Sequence, residues 1–241
     1  MLGFTDIHTH LLPNADDGAK DLQDALALVK MAWENGTRAI VLTPHFREPY
    51  KKNTPEMLQQ MFVKFQQTVA ENYPDMKLYL GNEIHYQSEG PVWLCEEKVL
   101  PMCGSEYALL EFSSKPLRSR VVSAVLNVLQ AGFTPIIAHA ERYEVFRMDE
   151  SLVDEVLNLG ALIQLNADSV LGKHGFSVKR FCHKMLKQEQ AHFIASDAHD
   201  SAYRPPLLRD CYLRVCKKYG EEYAARVFSE NAQAVIDNRL I

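Results

Sequence analysis

The chain has 241 residues, 47% of them hydrophobic, and a formal charge of −5. That is ample material for a large core, and with no basic run to neutralise phosphates it excludes a general nucleic-acid binder and suits a cation-binding protein. Five scattered cysteines (Cys95, Cys103, Cys182, Cys211, Cys216) form no C-x-x-C pair and read as free thiols of a reducing compartment. No apolar run approaches the ~20 residues of a membrane span, and the N-terminus lacks the basic head and long apolar core of a signal peptide. The expectation is a soluble cytoplasmic protein without membrane insertion.

In chain order, short runs rich in β-branched or aromatic residues fall at 3–8, 38–43, 77–81, 107–112, 134–138, 161–165 and 192–196. Longer segments of helical periodicity lie between most of them. Leu22, Ala25, Leu26, Val29 and Ala32 form one stripe, and Met57, Met61, Phe65 and Val69 a second. Val122, Val125, Leu126 and Leu129 form a third, and Leu152, Val156 and Leu159 a fourth. Gly36, Gly132 and Gly160 each follow a stripe, where a helix end favours glycine. The segment 89–104 fits poorly, with a short helix expected around 93–97. Helical stretches near 206–219, 221–228 and 231–238 follow the last strand. Strands alternating with helices imply parallel β-α units, and with no internal repeat or linker-like run, one domain over 1–241 is the simplest account.

Residues able to bind metal cluster at one place in this pattern. His8 and His10 end the first strand at i and i+2, which puts both imidazoles on one face. His45 follows the second strand, Glu83 the third, Glu111 ends the fourth and His139 the fifth; Asp197 and His199 end the seventh. Asp17 joins them from the first βα loop. All lie at C-terminal strand ends, the side on which barrel enzymes place their chemistry. Nine such groups gathered without cations would face severe desolvation and like-charge costs. With no cysteine among them the set is N/O only, which suits Mn, Fe, Zn or Co without choosing among them. His85 shares a face with Glu83, but neither it nor His174, His183 and His192 carries the same strand-end warrant; the last three read as surface or structural.

The blocks DIHTHLLPNADDGAK, TPHF, GNEIHY, YALLEFS, PIIAHAERY and IASDAH…YRPP, in this order across essentially the whole chain, resemble the PHP superfamily. More narrowly they resemble the PHP-type tyrosine-protein phosphatases of bacterial capsule and exopolysaccharide operons, the CpsB/YwqE type. The resemblance implies a distorted (β/α)7 TIM-like barrel holding three divalent metal ions, with manganese-dependent activity. It implies that His8, His10 and Asp197 hold the first ion, that Glu83 bridges to a second completed by Glu111 and His139, and that Asp17, His45 and His199 hold the third. Arg142 in HAERY and Arg204 in YRPP match the family's phosphate-binding arginines. The implied partner is a phosphotyrosine protein, specifically a bacterial tyrosine kinase controlling polysaccharide synthesis.

The chemistry agrees. Phosphomonoester hydrolysis needs a hydroxide at neutral pH and screening of the phosphoryl oxygens, which adjacent metals and bidentate arginines supply. A tyrosinate leaving group, with pKa ~10, needs little acid assistance, so no general acid is named. Cysteine-phosphatase chemistry is excluded: the residues six after each cysteine are Pro101, Leu109, Gln188, Lys217 and Glu222, and none is arginine. A small-molecule phosphatase of the histidinol-phosphatase kind is the rival enzyme reading, which DDGAK disfavours; a non-catalytic kinase-tail binder is the other. The loops 46–53, with Lys51 and Lys52, and 171–175 follow strands on the active-site side and are expected to shape its rim.

Overall fold

The computed structural model describes residues 3–47 and 53–241. Among these, nine strands appear where seven runs were expected, because a short further strand follows each of the runs at 38–43 and 77–81 after a break of two residues. The first sheet holds β1 (Phe4–Thr9), β2 (Thr37–Leu42) and β4 (Lys77–Leu80) in that order. The second runs β3 (His45–Phe46), β5 (Glu83–His85), β6 (Tyr107–Glu111), β7 (Thr134–Ile137), β8 (Leu162–Asn166) and β9 (Phe193–Ala195). Every pairing is parallel. Thr9 also forms a parallel bridge with Ala198, just beyond β9, so the first and last strands meet.

Both interruptions have a local cause. Pro44 has no N–H for the ladder, and the Glu83 N–H is shared between the carbonyls of Thr43 and Pro44, each at 3.3 Å. Asn82 fills the gap: its Nδ2 donates to Pro44 O at 2.7 Å and its Oδ1 accepts from Leu100 N at 3.0 Å. Gly81 allows the crossing, since a Cβ there would lie 3.0 Å from Met102 Cα. Each break ends immediately before a residue of metal-binding type, His45 or Glu83.

Helices link the strands. They are α1 (Leu22–Glu34), α2 (Pro55–Asn72), α3 (Gly90–Cys95), α4 (Arg118–Gln130), α5 (Glu144–Met148), α6 (Glu150–Leu159), α7 (Ala167–Leu171) and α8 (Phe176–Lys187). After β9 come α9 (Arg209–Tyr219), α10 (Glu221–Ala225) and α11 (Asn231–Ile236). Side-chain caps start α1 and α6: Asp21 accepts from Asp24 N at 2.9 Å and Asp149 from Ser151 N at 3.2 Å. Gly160 ends α6 at φ +104°, as its position after the stripe suggested.

Two buried stripes differ from expectation. On α2 they are Leu58, Phe62, Phe65 and Val69, with Met57 outside; on α4 they are Val121, Ala124, Val125 and Val128, with Leu126 outside. The short helix expected at 93–97 begins earlier, at Gly90. One apolar cluster gathers Ile7, Val41, Leu109, Ile136, Leu162 and Phe193, from six different strands. Side chains of six strands meet in this way only on the concave side of a curled sheet. The remaining strand faces pack against the helices in two further clusters. No described helix is long and apolar enough to cross a membrane. Lys51 and Lys52 lie outside the described residues; 171–175 forms the turn from α7 into α8, with Gly172 and Gly175 at positive φ.

Candidate metal centre

The strand ends bring His8, His10, Asp17, His45, Glu83, Glu111, His139, Asp197 and His199 to one place. His8 and His10 are fully buried, with their Nε2 atoms 3.2 Å apart. Around them stand Glu83 Oε1, 3.4 Å from His8 Nε2, and Asp197 Oδ1, 3.5 Å from both Nε2 atoms. His139 and Asp197 reach inward from left-handed backbone, at φ +33° and +53°. For residues with a Cβ this conformation costs about 1–2 kcal/mol each, and it clusters at functional sites.

The hydrogen-bond network sets the imidazole tautomers. The His139 N–H donates to Gln164 Oε1 at 2.8 Å, which identifies that atom as the amide oxygen. His8 Nδ1, 3.0 Å from the same oxygen, therefore carries a proton and donates it. His10 Nδ1 donates to Asp16 Oδ2 at 2.6 Å, and His199 Nδ1 to the Asp197 carbonyl at 2.9 Å. In the neutral rings all three Nε2 lone pairs are thus left for the interior. Outer partners that hold a ring this way are how proteins orient metal-binding histidines.

Electrostatics point the same way. Burial opposes ionisation of Asp16, Glu83 and Asp197, yet the facing imidazoles outweigh it. Asp16 falls to about 2, and Glu83 and Asp197 lie well below the usual carboxylate range. Asp17 is lowered chiefly by its bond to His45. Burial likewise opposes charge on His8, His10 and His45, but Glu83, Asp197 and Asp16 outweigh it, raising all three and His45 to about 9. His199 goes the other way, to about 3, through burial and the neighbouring His10. A pocket that draws protons onto imidazoles is one in which a divalent cation competes for the same lone pairs. His199 Nε2 is buried without a hydrogen bond among the described residues. The all-N/O donor set therefore fits divalent ions.

Three groups have donor atoms close enough to share an ion: His8, His10 and Asp197; His45, Glu83 and Glu111; and His10, Asp17, His45 and His199. The first is the trio expected for the first ion. The third contains the expected Asp17, His45 and His199, with His10 in addition. In the second, His45 stands where His139 was expected, its Nδ1 2.7 Å from Glu83 Oε2; His139 Nε2 instead lies 2.8 Å from Glu83 Oε1.

The arginines differ in placement. Arg142 Nη1 pairs with Asp197 Oδ2 at 2.8 Å while its side chain stays 31% exposed, so a guanidinium edge remains available at the mouth. Arg204 is farther out. Its carbonyl accepts from His199 N at 3.0 Å, its charge depresses His199, and it lines a small cavity with Asp168 and Lys173. His85 lies at the edge of the site, 3.2 Å from Glu111 Oε2. His174 pairs with Asp168, His183 with Tyr219, and His192 accepts from Ile163 N.

Several site residues escaped sequence reading. Asp16 holds both His10 and the His45 N–H, at 2.6 and 2.9 Å. Gly18 makes this loop possible: a Cβ there would meet His10 O at 1.9 Å. From β8, which supplies no candidate ligand, Gln164 Nε2 donates to Asn166 Oδ1 at 2.8 Å and Asn166 Nδ2 to Asp197 Oδ2 at 2.9 Å. Arg47 adds an unexpected third cation, 3.2 Å from Asp17 Oδ2 and 3.0 Å from His45 Nε2. The one available signal was the alternation in QLN, which puts Gln164 and Asn166 on one face.

A curled parallel α/β sheet with histidines and carboxylates at its C-terminal edge defines a metallohydrolase-type site. The family model for capsular polysaccharide synthesis, CpsB/CapC, matches residues 4–237, and the chain belongs to that family. It is 30% identical over 241 residues to the tyrosine-protein phosphatase CpsB of Streptococcus agalactiae serotype V, covering 98% of this chain and 99% of that one. A solved structure described as YwqE from Bacillus subtilis and CpsB from Streptococcus pneumoniae, unique metal-dependent tyrosine phosphatases, matches with a TM-score of 0.91 at 28% identity. That match covers 98% of this chain and 96% of the other. Histidinol phosphate phosphatase from Lactococcus lactis shares the fold, with a TM-score of 0.61 at 17% identity, over 91% of this chain and 95% of its own.

Proposed function

We propose that this protein is a metal-dependent tyrosine-protein phosphatase that hydrolyses phosphotyrosine on a protein, in the cytoplasm, and that its substrate is a bacterial tyrosine kinase controlling capsule or exopolysaccharide synthesis. The observation that carries the reading is the set of imidazoles whose outer nitrogens are bonded to Gln164, Asp16 and the Asp197 carbonyl, leaving inner lone pairs among buried carboxylates. Membership of the CpsB/CapC family and the near-complete match to named tyrosine phosphatases support the substrate class.

Joining each broken pair, β2 with β3 and β4 with β5, leaves seven strands in chain order, and the Thr9–Ala198 bridge supports a distorted (β/α)7 barrel. The whole chain, 1–241, is then one catalytic domain. Three divalent ions, manganese foremost, would be held by His8, His10, Asp197 and Glu83; by Glu83, Glu111 and His139; and by Asp17, His45 and His199. When bound, such ions supply Lewis acidity that acidifies water and neutralises phosphoryl charge.

The protein's own groups do the rest. Arg142, braced by Asp197, offers its free edge to phosphoryl oxygens, and Arg204 adds positive charge at the rim. Asp16 and Gln164 keep the His10 and His8 rings from turning. Asp197 and Glu83 stay ionised at neutral pH, and the phenolate, with pKa ~10, departs without a dedicated acid.

The test is phosphate release from a phosphotyrosine peptide in excess Mn, with and without chelator, set beside histidinol phosphate. Chelator-sensitive release from the peptide at a much higher kcat/KM is expected. Faster turnover of histidinol phosphate would move the assignment to a small-molecule phosphatase, and peptide binding without turnover under any metal would make the protein a binding module.

A further inference from the structure

Helix α8 is strongly basic. Its twelve residues include Lys179, Arg180, Lys184 and Lys187 and no acid, in a protein whose formal charge is −5. Phe176, Arg180, Lys184 and Lys187 recur at helical spacing along one face. Phe176 at the head of this stripe is 81% exposed, and Met148 at the end of α5 is 79% exposed. Both line a groove of about 400 Å³ with Arg147, Arg180 and Lys184. Two large apolar side chains in one groove beside cations mark a recognition surface rather than scattered exposure.

The charge in the groove is uneven. Its one acid, Glu150, is already paired with Lys184. Arg147 Nη1 donates to the neutral carbonyl of Glu141 at 2.7 Å, so it keeps its charge. Farther along the stripe Lys187 is exposed. The groove adjoins the segment that carries Arg142. Glu141 precedes Arg142, α5 begins two residues after it, and α8 packs against the 140–142 turn.

We propose that this stripe binds an acidic segment flanking the phosphotyrosine of the protein substrate, with Phe176 and Met148 taking an apolar or aromatic residue of that segment. The proposal rests on the tyrosine-phosphatase reading above. A phosphotyrosine held at Arg142 brings about two negative charges to the site, and its neighbours advance only about 3.3 Å per residue when extended. Residues a few positions away must therefore cross the rim, and the 140–148 segment leads directly to the stripe. Positive charge there complements acids and repels basic flanks.

The experiment uses the full chain, two phosphotyrosine peptides that differ only in acidic or neutral flanking residues, and p-nitrophenyl phosphate. Fluorescence anisotropy measures peptide binding in the absence of metal, and Mn-supported kinetics measure turnover. The wild type is expected to prefer the acidic peptide. R180E/K187E should weaken its binding about tenfold, a few-fold per exposed charge, and raise its KM correspondingly. F176A should weaken both peptides. Turnover of p-nitrophenyl phosphate should be unchanged in each variant, which also reports that the variants fold. Equal binding of the two peptides by the wild type, or a preference that survives R180E/K187E, overturns the proposal even if phosphatase activity is robust. A preference lost in R180E/K187E while no substrate is turned over would support the docking surface and remove the phosphatase reading instead. Self-association of the wild type that R180E/K187E and F176A abolish, with no peptide preference, would assign the stripe to a second copy and overturn the proposal.

Discussion

Gln164 Oε1 lies 3.0 Å from His8 Nδ1 and at the same time accepts the His139 N–H at 2.8 Å. One buried amide oxygen thereby holds a candidate ligand ring and the backbone of another candidate ligand. Its amide nitrogen reaches Asn166, which in turn holds Asp197. A strand without a ligand braces three of them.

Replacing Gln164 with Leu removes this brace while nearly keeping the volume. The His8 ring is freed to turn and its tautomer is no longer set, and such outer-partner losses typically weaken metal affinity about 10–100-fold. The buried His139 N–H also loses its acceptor, at a cost of about 1–3 kcal/mol. Calorimetric titration with Mn should show weaker binding by Q164L at unchanged stoichiometry. Wild-type affinity in Q164L would show that the amide does not orient His8.

The neighbouring acids Asp16 and Asp17 should separate cleanly. Asp16 is turned onto His10 and His45, whereas Asp17 lies 3.3 Å from His45 Nε2 and 3.6 Å from His199 Nε2. Asp17→Ala should cost one bound ion per chain, counted by elemental analysis after dialysis. Asp16→Asn should keep the ion count and lower affinity by about 10–100-fold. The reverse pattern would exchange their roles.

His192 gives an acid sensitivity away from the site. Its Nδ1 accepts from Ile163 N at 3.2 Å, and burial lowers its pKa from 6.5 to about 4. The folded state therefore binds fewer protons than the unfolded chain between these two values. Stability is fully present above pH 6.5 and is lost as pH falls toward 4, by about 3 kcal/mol if the whole shift is realised. His192→Asn keeps an acceptor but does not titrate. Urea unfolding at pH 7 and pH 4.5 should show a smaller loss for H192N than for the wild type; equal losses would exclude His192 as the source.

Strand order and the gathering of the candidate ligands were readable in the sequence because both follow strong rules. Parallel β-α units alternate short and long apolar runs, and their chemistry sits at strand ends, so His8 through His199 fall where the runs stop. The breaks after Leu42 and Leu80 were hidden because Thr43, Pro44, Gly81 and Asn82 act through a crossing of two backbones, which no single segment reveals. Gln164 and Asn166 are neutral amides with no spacing signature; their role appears only beside His8 and Asp197. Nothing in the sequence separates Asp17 from Asp16 as a candidate ligand, since adjacent acids in a loop look alike until Gly18 places that loop on His10. On α2 and α4 the buried stripes are displaced because Leu58, Val121 and Ala124 are as apolar as the residues first chosen, and only packing decides between them.

The meeting of the first and last strands also dictates when the centre comes into being. Ser196 N donates to Asp6 Oδ1 across 190 positions, beside the bridge from Thr9 to Ala198. During synthesis His8 and His10 emerge long before Asp197 and His199, and loop closure over such a span is among the last steps of folding. Completion of the His8, His10 and Asp197 group and of the group that includes His199 is then a report that the chain has been made and wound through to its final strand, whereas the His45, Glu83 and Glu111 group needs nothing beyond β6.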